Sequence, residues 1–191
     1  MIIVKNLSSG TRKWAVWHQD LTSASKYLSL NETSAELNDT ATWNNTLPTN
    51  LVFSSAGSGE VNQSGNEFIA YCFAEKQGYS KCGQYIGTGY ATGNFIYTGF
   101  RPKYILSKKI TGTGSWNIVD ADRLGYNRSN ERMYANNTAG DGGDLVCDIY
   151  SNGFSWYDDG GDMNTAGDKY MYYAVAEAPL VGSNNVPCTA R

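Results

Sequence analysis

Short apolar runs rich in β-branched and aromatic residues dominate the hydrophobic pattern of the chain. They fall at about 2–5, 13–18, 27–30, 50–54, 67–75, 94–98, 103–108, 115–119, 132–135, 145–150, 153–157 and 169–177. Runs of this length and composition predict strands. Between them lie turn clusters, SSGT, SAGSG, GTG, DGGD and DDGGD, in which glycine and short polar residues reverse the chain. The best helical candidate is TSAELND (33–39), two turns at most. Its counterpart TAGDGGD (138–144) is too glycine-rich to be helical, so the expectation for 33–39 is a loop or one short helix.

The pattern repeats itself. VNQSGNEFIAYCFAE (61–75) matches MNTAGDKYMYYAVAE (163–177), with Asn62/Asn164, Gly65/Gly167, Tyr71/Tyr173, Ala74/Ala176 and Glu75/Glu177 identical. Upstream, KWAVWHQD (13–20) answers SWNIVDAD (115–122), LSLNETSA (28–35) answers MYANNTAG (133–140), and LVFSS (51–55) answers NGFSW (152–156). The offset stays between 101 and 105 residues, longer than the roughly 20–50 residues of solenoid repeats. Two related halves, about 2–75 and 104–177, therefore build one body.

In 67–75 and 169–177 both alternating faces are apolar or aromatic, as in strands covered on both sides. Each copy is thus expected to be a central strand, preceded by a tight N-x-x-G turn. The fold class that follows is all-β, a jelly-roll or concanavalin-A-like β-sandwich. The segment between the halves (76–103) has six glycines, with Tyr79, Tyr85, Tyr90, Phe95, Tyr97 and Phe100. Glycine permits sharp bends and the aromatics supply burial, so it is read as a crossing that adds a strand or two. The single domain spans 1–180, and residues 181–191 form a tail without periodicity.

At 191 residues the chain can bury a full core. A net charge of −3 without a Lys/Arg patch argues against nucleic acid as a partner. The N-terminus lacks the apolar segment of a signal peptide, and no run is long enough for a membrane-spanning helix. Cys72, Cys82, Cys147 and Cys188 have no metal-binding spacing. They are read as reduced thiols; a Cys72–Cys147 or Cys82–Cys188 disulfide requires an oxidising setting. Seven N-x-S/T sequons, at Asn6, Asn31, Asn38, Asn44, Asn62, Asn127 and Asn136, reflect Asn-rich turns.

The strings GYSKCGQYIGTGYATGNFIYTGFRPKYILSKK, SWNIVDADR, NNT, SNGF and NTAGDKYMYYAVAEAP resemble a family of tailed-bacteriophage virion proteins with a lectin/glucanase-type jelly roll. The likeness covers nearly the whole chain. It implies a non-enzymatic virion component, first a tail-fibre or adhesin module for host attachment, alternatively a capsid decoration protein, and third a glycan depolymerase. The implied partners are other virion proteins, a homo-oligomer (trimer favoured) and host surface glycan, with the virion as location.

Candidate chemistry is sparse. Asp120 and Asp122 alternate after a strand, but their counterparts are His18 and Asp20, so no acid pair recurs as a retaining glycosidase site needs. His18 is the only histidine and is read as a partly exposed strand residue. Glu75 and Glu177 are assigned to structural pairing. Asp158, Asp159 and Asp162 of DDGGD, with DGGD (141–144), are the best calcium ligands; no other cofactor is expected. Trp14 and Trp116 recur and belong to the core, whereas Trp43 and Trp156 are the candidates for a ligand surface. Recognition is expected where the halves differ.

Overall fold

The computed structural model describes residues 1–123, 127, 131–139, 146–157 and 161–178. Among them there is no helix, and every strand pairing is antiparallel. The first sheet holds β1 (Ile2–Asn6), β2 (Trp14–Trp17), β3 (Lys26–Ser29), β4 (Leu37–Asn38) and β5 (Phe68–Cys72), in the order β4-β3-β2-β1-β5. The second holds β6 (Ser80–Ile86), β8 (Pro102–Lys109), β9 (Asn117–Asp120), β10 (Arg132–Tyr134) and β13 (Lys169–Ala176), in the order β10-β9-β8-β13-β6. A third, three-stranded sheet, β11-β12-β7, contains β7 (Phe95–Tyr97), β11 (Cys147–Tyr150) and β12 (Gly153–Trp156).

Three apolar layers follow from side-chain alternation. Met1, Ile3, Val16 and Leu28 of the first sheet meet Leu106, Trp116, Met171 and Tyr173 of the second. The opposite face of β1, Ile2 and Val4, packs with Trp43 and Val61 of the irregular segment after β4. The opposite face of the second sheet, including Ile105, Tyr170 and Tyr172, packs against Ile96, Phe154 and Trp156 of the third. The protein is therefore an all-β sandwich whose paired sheets are covered on their outer faces.

The duplication is visible bond by bond. The series β3-β2-β1-β5 is matched in order by β10-β9-β8-β13. Ile3 faces Tyr71 as Leu106 faces Tyr173, and Val16 faces Leu28 as Ile118 faces Met133. The Trp14 amide donates to Asn31 Oδ1 at 2.9 Å, and the Trp116 amide to Asn136 Oδ1 at 2.7 Å. Two of the seven sequon asparagines are thus occupied as joints between strands. Before β5 and β13, Asn66 N–H closes on Gln63 and Asp168 N–H on Thr165, with Gly65 at φ 80° and Gly167 at φ 78°. A positive φ at the third turn position suits glycine, so each copy has its turn, one residue later than the Asn62–Gly65 and Asn164–Gly167 turns expected.

Several expectations are corrected. Residues 33–39 contain no helix: Leu37 and Asn38 form a short strand paired with Tyr27 and Lys26. Residues 50–54 form no strand, and Leu51 and Val52 are exposed. In the second half the equivalent segment is β12, which lies between β11 and β7. The first half has no counterpart of this three-stranded sheet among the described residues.

The larger correction concerns β5. β13 is buried along most of its length, flanked by β8 and β6. β5 is an edge strand, half-buried at Phe68 and Ile69 and exposed from Ala70 to Cys72. Similar residues therefore occupy a central and an edge position. The crossing does add strands, β6 and β7, and both go to the second half.

Candidate functional site

The unrepeated crossing carries a group of exposed apolar and aromatic side chains. Ile86, Tyr90, Phe95 and Tyr97 are 54%, 70%, 53% and 58% exposed. Phe95 and Tyr97 alternate with buried Ile96 on β7, so their rings leave the same face, roughly 7 Å apart along the strand. Phe95 meets Tyr150 edge-on, with ring centroids 5.7 Å apart, and Lys81 Nζ lies 5.2 Å from the centre of the Tyr97 ring. The ridge thus presents π-faces beside one cation, a surface suited to stacking on apolar faces of a ligand.

Its backbone is held from below. Asn164 is fully buried; its Oδ1 accepts the Thr88 N–H at 2.8 Å, and its Nδ2 donates to the Tyr90 carbonyl at 3.0 Å. Asn94 Nδ2 donates to the Ile86 carbonyl at 3.1 Å, tying the end of β6 to the start of β7. Gly93, at φ 78°, lies so close to the third sheet that a Cβ would fall 2.3 Å from the Trp156 carbonyl oxygen. Only glycine fits both demands. The loop is therefore preorganised, which lowers the entropy cost of binding.

The residues singled out from sequence are scattered. Trp43 and Trp156 are fully buried and present no ring to solvent: Trp43 packs edge-on to Phe53 and Trp156 to Phe154. Asp158, Asp159 and 141–144 lie outside the described residues. Asp162 lies near Gly114 in the loop between β8 and β9, and no group of three His, Cys, Asp or Glu that could hold a metal occurs among the described residues. Asp120 Oδ1 accepts the Asp122 amide at 3.0 Å, and Asp122 pairs with Lys103. Glu177 pairs with Arg101 at 2.6 Å. Cys72, Cys82 and Cys147 are free thiols, of which only Cys72 is exposed; burial raises the Cys147 thiol far above its usual range.

His18 is not a partly exposed strand residue. It is fully buried between the paired sheets, with Nε2 3.2 Å from the Tyr172 carbonyl and Nδ1 3.3 Å from the Asp20 amide nitrogen. A carbonyl only accepts and an amide N–H only donates, so the ring is neutral with its proton on Nε2. Burial pushes its pKa down to about 3. It serves as a buried strut, and the neighbouring carboxyl of Asp20, 3.4 Å from Nδ1, is raised by burial.

A concavity of about 730 Å³ opens beside β5. Met1, Ile3, Phe73, Tyr104, Leu106 and Tyr173 line it, so its wall is the inter-sheet core left uncovered at the first sheet's edge. The sequence reading missed this cleft, because it arises from the absence of a strand. The aromatic composition of the crossing, by contrast, pointed to the ridge.

Fold and site together define an internally duplicated, all-β sandwich with an aromatic surface on the unrepeated crossing between its halves. The chain belongs to the family described as domain of unknown function DUF7483, which it matches over residues 1–179. No curated protein and no solved structure matches it.

Proposed function

We propose that the chain is a non-enzymatic structural protein of a tailed-bacteriophage virion, a tail-fibre or adhesin-type module that engages host surface glycan. The observation that carries this reading is the preorganised ridge of Tyr90, Phe95 and Tyr97 on a frame whose repeated residues serve structure. Aromatic faces stack on the C–H faces of sugar rings, and rigid Tyr and Phe side chains give contact area at low entropy cost. The sequence resemblance to lectin-like virion proteins supports the same assignment.

The open edge of β5 favours a second reading, capsid decoration, in which the module is held by protein contacts on the head. Immunogold labelling of intact virions separates the two: the first reading places label on the tail, the second on the head. Host adsorption tests the ridge. Tyr97→Ala or Phe95→Ala is expected to weaken binding to host polysaccharide about tenfold, the equivalent of one aromatic contact. Unchanged adsorption in the double variant contradicts the ridge. Release of new reducing ends that is lost in Asp120→Ala and Asp122→Ala would instead support a depolymerase.

A further inference from the structure

The second sheet indicates what the first one lacks. β6 pairs antiparallel along the outer edge of β13, from Lys169↔Ile86 to Val175↔Ser80. β5 occupies the equivalent place in the first sheet and has no strand beyond it among the described residues.

The backbone groups on that edge can be assigned. Phe73 N–H donates to the Met1 carbonyl at 2.9 Å, and the Glu67 carbonyl accepts from Leu7 N–H at 2.8 Å. Both residues therefore turn their polar groups toward β1. In a strand this direction alternates, so Ile69 and Tyr71 also face β1, while Phe68, Ala70 and Cys72 direct N–H and C=O outward. Unpaired edge groups of this kind template the addition of another strand. Folded monomers commonly blunt such edges with Lys, Pro or a bulge. The stretch Phe68–Ala74 carries no charge and no proline, and β1–β5 pairs in continuous register.

We propose that the occupant of this edge is β5 of a second copy of the chain, added antiparallel about a twofold axis so that two first sheets become one. Twofold symmetry gives the antiparallel orientation directly, the same orientation that β6 takes to β13. Hydrogen-bond direction and charge select the register. With Ala70 facing Ala70 of the second copy, Phe68 faces Cys72 and all three outward residues pair with one another. Glu67 then faces Phe73. Centring the pair on Tyr71 instead would point the wrong backbone groups at each other and set Glu67 against Glu75. The geometry makes a pair, in place of the trimer favoured from sequence. It is independent of the ridge, which lies on other strands.

Sedimentation equilibrium on the intact chain, up to hundreds of micromolar, tests this. The expected result is twice the chain mass for wild type, and loss of the pair in both Ala70→Pro and Ala70→Lys. Pro removes an N–H that points away from β1, so no internal bond is lost, and Lys places charge on the edge. Circular dichroism melts confirm that each variant is folded, and Ala70→Lys carries the test if the proline variant is not. A wild type that stays monomeric, as it would if a different protein supplied the strand, overturns the proposal. So does a pair that persists in a folded Ala70 variant.

Discussion

The halves of this sandwich share four strands in the same order and differ in what lies beside the last of them. In the second half, the crossing supplies β6 to cover β13 and β7 to pair with β12. Beside the first half nothing among the described residues plays either part, so β5 is an edge there and 50–54 is irregular. A strand's place in a sheet therefore depends on which neighbours reach it, and less on its own composition. Tyr71 and Tyr173 are the same residue type at equivalent register, yet Tyr71 is 42% exposed and Tyr173 only 7%.

Proline gives the largest expected contrast. Tyr172→Pro removes an N–H directed at β6 in a central strand, a cost of more than about 3 kcal/mol, and is expected to abolish the folded protein. Ala70→Pro at the equivalent edge position is expected to shift the urea midpoint only slightly. Loss of folding in both would show that β5 is as enclosed as β13.

The duplicated tryptophans come next. Trp116 is fully buried and its Nε1 donates to the Ser29 carbonyl at 2.7 Å, bridging the sheets. Trp14 is only half-buried. Trp116→Ala is expected to lose about 4 kcal/mol and Trp14→Ala about 2 kcal/mol in chemical denaturation. Equal losses would mean that the two joints are equivalent after all.

His18, whose counterpart in the second half is Asp120, carries a pH dependence of stability. The folded-state pKa of His18 is held near 3, below its ordinary 6.5. Between these values the unfolded chain takes up a proton that the folded chain refuses. Stability is therefore full above pH 6.5 and falls as the pH drops toward 3. Acidification from pH 7 to pH 5 is expected to cost about 2 kcal/mol, with the slope lost in His18→Gln. A slope that survives His18→Gln assigns the acid sensitivity elsewhere. The smallest effect sharpens the likeness of the halves: Gly65→Ala and Gly167→Ala should each lose about 1 kcal/mol for the strained φ. A large inequality between them would break the equivalence of the turns.

Much of the frame was legible in the sequence, because repeated residues carry repeated hydrogen bonds. The offset between halves corresponds to observed pairing at Trp14/Asn31 and Trp116/Asn136. The edge position of β5 was not legible, since both copies carry apolar residues on both faces and only the path of the crossing decides which is covered. The burial of His18 depends on Tyr172, 154 residues away, and that of Trp43 on the outer face of β1 and β2. Neither contact leaves a mark in local periodicity. The ridge was legible as a glycine-rich aromatic segment, though which of its rings face outward followed only from β7.

Residue-resolved hydrogen exchange on the Ala70→Lys variant distinguishes an open strand edge from a filled one amide by amide. If β5 is an open edge and β13 a filled one, the Phe68 and Cys72 amides exchange rapidly while Ile69, Tyr71 and Phe73 are protected, and β13 is protected throughout Tyr170–Ala174. Uniform protection along β5, or the same alternation along β13, would contradict the claim that the crossing completes only one half.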